Sequence, residues 1–246
     1  MFSLFRKTLK KPTFNFNTIG VDMHSHILPG IDDGAATLQE SIALVIKLKD
    51  LGFHKLIATP HIMADLYPNT TEIIEQALAI LHEEVEKQRI QIQIEAAAEY
   101  FFDETFETKI EEGRLLTFGD GFLLFELSYV NQPNHLADVV KKLIQKGYKP
   151  ILAHPERYLY LQQSLDDFNR IKDYGCYFQL NTLSLMGHYN KQIQKVAEYL
   201  IDHNLVDFIG SDIHRIKHAD VLEKALYHPH LAKLLASNKL LNLALN

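Results

Sequence analysis

The chain is predicted to be an α/β protein of roughly seven βα units, closed as a TIM-like (β/α)7 barrel rather than spread as an open sheet. Three observations predict this. Amphipathic helical stretches alternate with short, nearly continuous apolar runs, Gly or Asn stands at the junctions, and the apolar runs end in His, Asp or Glu. With 246 residues and 47% hydrophobic content the chain can bury one large core.

The units follow in order. A first strand at 18–24 ends in Val21-Asp22-Met23-His24-Ser25-His26 and runs into the turn-prone Asp32-Asp33-Gly34. A helix over 41–51 stops at Gly52, which can take the left-handed C′ position, and F-H-K-L-I-A-T-P-H then carries a second strand to His61. Strands at 91–98 and 121–127 lead to Glu99 and Glu126. The stretch between them, 99–120, is the weakest part of the pattern and reads as a short helix and a turn. The unit V-V-K-K-L-I-Q-K-G, Y-K-P-I-L-A-H stops at Gly147 and ends at His154. F-N-R-I-K-D-Y-G, C-Y-F-Q-L-N stops at Gly175 and ends at Asn181. V-A-E-Y-L-I-D-H-N, L-V-D-F-I-G-S-D-I-H uses Asn204 and reaches Asp212 and His214.

Composition excludes several classes. A net charge of −6 provides no global basic footprint for nucleic acid. The one cysteine, Cys176, rules out an intramolecular disulfide and a thiolate zinc site, and is expected of a reducing, cytoplasmic setting. No apolar run approaches the ~18 residues of a membrane span. Residues 1–19, M-F-S-L-F-R-K-T-L-K-K-P and on, are expected to be a flexible N-terminal extension before a single barrel domain at 20–246.

In a parallel barrel the C-terminal strand ends surround one mouth. Six of the seven predicted strands end there in a metal-competent side chain: His24 and His26, His61, Glu99, Glu126, His154, and Asp212 with His214, while Asp33 joins them from the first loop. The pairs His24/His26 and Asp212/His214 are two residues apart, so in a strand each pair points to one side. Five histidines and four carboxylates in one mouth are costly unless cations neutralise them. Nine donors exceed the needs of one ion and suit two or three. Imidazole and carboxylate without thiolate favour Mn, Zn or Fe. Such a cluster attracts phosphate and lowers the pKa of bound water from 15.7 toward ~7, which suits hydrolysis of a phosphate ester by an activated hydroxide. The remaining histidines, His54, His82, His135, His188, His203, His218, His228 and His230, are expected to lie away from the mouth as solvated or structural groups.

The motifs D-M-H-S-H-I-L-P-G-I-D-D-G-A with T-L-Q-E-S, then A-T-P-H, A-A-E-Y, F-E-L, A-H-P-E-R-Y and S-D-I-H resemble, in this order, the polymerase and histidinol phosphatase (PHP) superfamily. Within it they resemble the bacterial PHP-type protein-tyrosine phosphatases of capsule and exopolysaccharide operons. The resemblance spans roughly residues 20 to 235. It implies a distorted barrel with up to three metal ions, usually manganese, held by the same nine residues. It also implies that Arg157, in H-P-E-R-Y, approaches the substrate phosphate, with a surface salt bridge as the alternative role. The implied substrate is a tyrosine-phosphorylated protein, namely a membrane-associated kinase of polysaccharide synthesis, and self-association into a homo-oligomer is left open. Asp33 or a metal-held water would supply the leaving-group proton. Tyr100, Phe101 and Phe102 stand as candidate walls for the phenyl ring, or as core. The alternatives are a small-molecule phosphatase such as histidinol phosphatase, a PHP exonuclease, and a non-catalytic metal-binding scaffold. The R-I-K-H-A that follows S-D-I-H departs from the family pattern and leaves the role of Arg215 open.

Overall fold

A computed structural model describes residue 12 and residues 14–164 and 166–245. Nine strand segments, all paired in parallel, make two sheets: β1 (Val21–Ser25), β2 (Lys55–Ala58) and β4 (Gln93–Ala96) in the order β1-β2-β4, and β3 (His61–Ile62), β5 (Glu99–Phe101), β6 (Phe122–Glu126), β7 (Lys149–Ala153), β8 (Tyr177–Asn181) and β9 (Phe208–Gly210) in the order β3-β5-β6-β7-β8-β9. These nine segments are seven staves. Thr59-Pro60 interrupts the second stave, where proline removes a ladder N–H, and Ala97-Ala98 interrupts the third. The register survives the interruption, since Ala58 pairs with Ala96 and His61 with Glu99, both 38 positions apart.

The staves therefore follow chain order around the molecule. Among the described residues no strand ladder joins β9 to β1. The two edges meet through the isolated parallel bridge Ser25↔Ile213, where the Asp212 N–H donates to the His24 carbonyl at 2.8 Å and the His26 N–H to the Ile213 carbonyl at 3.0 Å. The fold is thus the expected distorted α/β barrel, and the distortion sits where the polar strand ends converge.

Helices α1 (Leu38–Asp50), α2 (Thr71–Lys87), α3 (Glu104–Glu112), α4 (Leu136–Gln145), α5 (Asp166–Asp173), α6 (Lys191–Asp202), α7 (Ile216–Ala225) and α8 (Pro229–Ser237) connect and cover the staves. The expected stops Gly52, Gly147, Gly175 and Asn204 all have positive φ, as the alternation of helix and strand requires. Segment 99–120 splits into β5 and α3, whose end Gly113 adopts the left-handed cap. At α1 the Thr37 side chain accepts from the Glu40 N–H, and the Glu40 carboxylate reaches back to the Ala36 N–H, which fixes the loop after Asp33 to the helix.

Residues 1–11 and 13 of the expected extension lie outside the described residues, but Phe16 and Ile19 are buried in the main core and Phe16 stacks on Phe53 at 4.7 Å. Among the described residues no helix is long and apolar enough to cross a membrane.

Candidate metal centre

The nine expected donors meet in one place. Asp33, His61, Glu99, Glu126, His154, Asp212 and His214 line a cavity of about 430 Å³, and His24 and His26 lie fully buried against Glu99 and Asp212. The backbone is shaped for this. His154 and Asp212 have positive φ (35° and 48°), sparsely populated for residues with a side chain and frequent at functional sites. Gly210 and Gly34 allow the closest approaches: a Cβ on Gly210 would stand 2.6 Å from the His24 Cβ, and one on Gly34 only 2.1 Å from the His26 carbonyl oxygen.

Three sets of side chains could each hold an ion: His26, Asp33, His61 and His214; His24, His26 and Asp212; and His61, Glu99 and Glu126. They share His26 and His61, so ions bound to them would be neighbours. His154 stands beside the third set, 3.1 Å from Glu99.

The hydrogen bonds at the rear of the rings test whether cations fit. The His24 Nδ1–H donates to the Gln179 Oε1 at 2.9 Å, and the His26 Nδ1–H to the Asp32 Oδ2 at 2.7 Å. In a neutral ring each Nε2 then carries a lone pair, and the two face each other at 3.3 Å. Both also face Glu99 Oε2, at 3.3 and 3.4 Å, with His61 Nδ1 at 3.2 Å from the same oxygen. Glu99 Oε2 and His61 Nδ1 are buried without a hydrogen-bond partner. Lone pairs converging on lone pairs in a dry site need positive charge between them, and divalent ions supply it. Without cations, protons take that place. Burial would lower the His24 pKa, but Glu99 and Asp212 outweigh it and push the ring up to about 9. Burial likewise works against the charged forms of Glu99 and Asp212, yet the surrounding histidines hold both well below the usual carboxylate range.

Asp33 stands in a cationic setting. Partial burial raises its pKa, but the His214 imidazole, followed by His61 and His26, brings it down to about 2. Arg157 is not in a surface salt bridge. Its guanidinium lies between the Tyr129 and Tyr189 rings, 4.8 and 4.3 Å from their centroids, and donates to Asp212 Oδ2 at 3.1 Å. Arg215 lines the cavity and donates to the Asp33 and Gly34 carbonyls, so it pins the Asp-Asp-Gly loop and adds charge to the mouth.

Sequence reasoning missed several participants. Asp32 was hidden beside Asp33, and Gln179 was hidden in the one stave without a ligand, where a polar residue in an otherwise apolar strand was the available signal. The aromatic walls are Tyr67, Tyr129 and Tyr189. Tyr100 and Phe102 instead belong to the core, where Tyr100 stacks on Phe106 and its hydroxyl oxygen accepts from the Leu116 N–H. His218, expected away from the mouth, lines it, and its Nδ1 accepts from the His214 N–H at 3.2 Å.

Comparison with known proteins agrees with this architecture. A solved structure from work on YwqE from Bacillus subtilis and CpsB from Streptococcus pneumoniae, described as unique metal-dependent tyrosine phosphatases, matches with a TM-score of 0.79 at 28% identity, covering 91% of this chain and 94% of that one. The tyrosine-protein phosphatase YwqE of B. subtilis is 29% identical over 209 residues, 84% of this chain and 82% of the relative. The tyrosine-protein phosphatase CpsB of Streptococcus agalactiae is 28% identical over 202 residues, 80% of this chain and 83% of the relative. The family described as capsular polysaccharide synthesis, CpsB/CapC, matches residues 20–230, a span that runs from just before β1 into α8 and includes every donor of the cluster; the chain belongs to that family.

Proposed function

We propose that the chain is a metal-dependent protein-tyrosine phosphatase, a phosphoric monoester hydrolase acting in the cytoplasm on a tyrosine-phosphorylated kinase of capsular or exopolysaccharide synthesis. The observation that carries this reading is the set of three adjoining donor groups at a cavity walled by Tyr67, Tyr129, Tyr189 and Arg157. We assign His24, His26, Asp33, His61, Glu99, Glu126, His154, Asp212 and His214 as ligands of two or three divalent ions, with manganese as the resident metal and iron or zinc as substitutes. The barrel that bears them, with the segment around Phe16, acts as one catalytic domain.

When bound, such ions polarise the phosphoryl group and acidify water near neutral pH. The chain's own residues do the rest. Gln179 and Asp32 hold the His24 and His26 rings with their Nε2 atoms facing inward, which fixes the tautomers. Arg157, kept rigid between two aromatic rings, presents a planar fork suited to bidentate contact with phosphate oxygens. The tyrosine walls bracket the phenyl ring of the substrate. A phenol leaving group has a pKa of about 10 and needs little acid assistance, which is compatible with Asp33 serving as a ligand and not as the proton donor.

The test is phosphate release from a tyrosine-phosphorylated peptide by chelator-stripped protein, before and after reloading with manganese, with histidinol phosphate as the rival substrate. Metal-restored peptide turnover, abolished in His24→Ala and Asp212→Ala, is the expected result. Turnover of histidinol phosphate alone would overturn the substrate, and no turnover of either after reloading would overturn the enzyme.

A further inference from the structure

A second group of metal-competent side chains lies outside the barrel mouth. Glu198 is in α6, and His228 and His230 flank Pro229 at the start of α8. Each offers one ligand atom, and the three atoms lie within 4.8 Å of one another. None of the three lines the mouth.

The local chemistry favours ligation over chance contact. Pro229 occupies the first turn of α8 and fixes its own φ, so His-Pro-His presents two imidazoles from a stiff segment, with ring centroids 5.5 Å apart. Glu198 Oε1 accepts from Gln194 Nε2 at 3.1 Å and stands 3.5 Å from His228 Nε2, so its carboxylate already points at the pair. His230 directs Nε2 toward Asp202 Oδ2 at 3.4 Å, one helical turn beyond Glu198, in the carboxylate–imidazole arrangement that commonly orients metal-bound histidines. That leaves His230 Nδ1 free to ligate. The Nδ1 atoms of both His228 and His230 are buried without a hydrogen-bond partner, although the side chains are 15% and 25% exposed.

We propose that Glu198, His228 and His230 form a separate binding site for a zinc-class divalent ion that clamps the start of α8 to α6. Two imidazoles and one carboxylate are the donor set zinc takes with a fourth position left to water, and the absence of thiolate and of a carboxylate majority disfavours copper(I), calcium and magnesium.

The experiment uses the full chain and zinc alone as probe. Protein stripped with chelator is dialysed against zinc and the bound metal is counted per chain, in the wild type and, separately, in Glu198→Gln and His230→Gln. Each variant is expected to hold one zinc ion fewer than the wild type, with unchanged manganese-dependent phosphatase turnover, since neither residue belongs to the mouth. Zinc added to manganese-loaded wild type should also raise the melting temperature, and should do so less in either variant. An equal zinc count in wild type and variants overturns the site, as does an equal thermal shift. Two substitutions on different helices keep the test decisive if one of them fails to fold, and turnover reports separately on the mouth.

Discussion

Asp32→Asn separates the roles of the two adjacent aspartates. Asp32 is nearly inaccessible, and its carboxylate accepts from His26 Nδ1 at 2.7 Å, from the Gly34 N–H at 2.8 Å and from the His61 N–H at 3.2 Å. It touches the cluster only through what it orients. Burial raises its pKa, but His26 outweighs that and lowers it, the signature of an anion held by a ring N–H. An asparagine keeps one acceptor for His26 and His61 but loses the charge and turns an amide N–H₂ toward the Gly34 N–H. A hydrogen bond to a charged group contributes about 1.5–3 kcal/mol and a neutral one about 0.5–1.5, so the loss is about 1–2 kcal/mol. At 1.36 kcal/mol per decade this is roughly 5–30-fold in metal affinity, overlapping the lower part of the range of about 10–100-fold typical of partners that orient ligating histidines. The assay is phosphate release from a phosphotyrosyl peptide against free manganese after chelator treatment. The midpoint should move up by about that factor, and excess metal should restore most of the turnover. An unmoved midpoint, or a loss that excess manganese leaves in place, would refute the orienting role.

Three further outcomes are expected. Arg157→Ala should lower kcat/KM by about 10²–10³, the usual cost of removing a donor aimed at developing negative charge, and Arg157→Lys should recover little of it because the fork is lost; steady-state kinetics at saturating manganese will tell. Gly34→Ala must push the His26 backbone away from a Cβ standing 2.1 Å from its carbonyl oxygen, so thermal unfolding should show a destabilisation of about 1–3 kcal/mol together with weakened metal uptake. Because the His24 pKa is raised to about 9 in the metal-free cluster, its contribution to stability is complete below the unfolded value near 6.5 and is lost as pH rises through 9; melting temperatures of stripped protein should decline across that window, and those of manganese-loaded protein should not.

The legibility of this molecule divides along physical lines. Strand ends were legible because parallel staves are apolar throughout, so a His or Glu closing such a run stands out, as at His61, Glu99 and Glu126. Helix stops were legible because Gly52, Gly147, Gly175 and Asn204 carry out a backbone requirement that few residues meet. The interruptions at Thr59-Pro60 and Ala97-Ala98 were not, since each leaves the pattern of one strand and only pairing reveals two. Orienting groups were equally hidden. Gln179 and Asp32 act through hydrogen bonds to residues 155 and 6 positions away, so a polar residue in an apolar strand and a second aspartate in a turn show where they stand but not what they orient. Tyr129 and Tyr189 reach the mouth from loops, where aromatic residues carry no periodic signal, whereas Tyr100 and Phe102, adjacent to a ligand in sequence, sit in the core.

The same geometry makes the cluster a folding element as well as a reaction site. Among the described residues the backbone bonds at the seam between β9 and β1 lie at Asp212, His24, His26 and Ile213, and the Asn242 side chain bridges the Val21 and Ile209 carbonyls below them, so the upper seam of the barrel is made by the ligands and their neighbours. Beneath it Ser211 and Asp22 are tied together, with the Ser211 N–H donating to Asp22 Oδ1 at 2.9 Å. Ions that draw the cluster's donor atoms inward would therefore act on this join of the sheet. Any ion bound by the folded chain and not by the unfolded one stabilises it by mass action, about 2.7 kcal/mol at a hundredfold excess over Kd. Here that energy is delivered across the seam, so metal removal should loosen β1 and β9 before the β6-β7-β8 ladder. Amide exchange comparing stripped and manganese-loaded protein should show the largest loss of protection at Asp212 and His26, and uniform loss across all staves would show that the seam is held by packing alone.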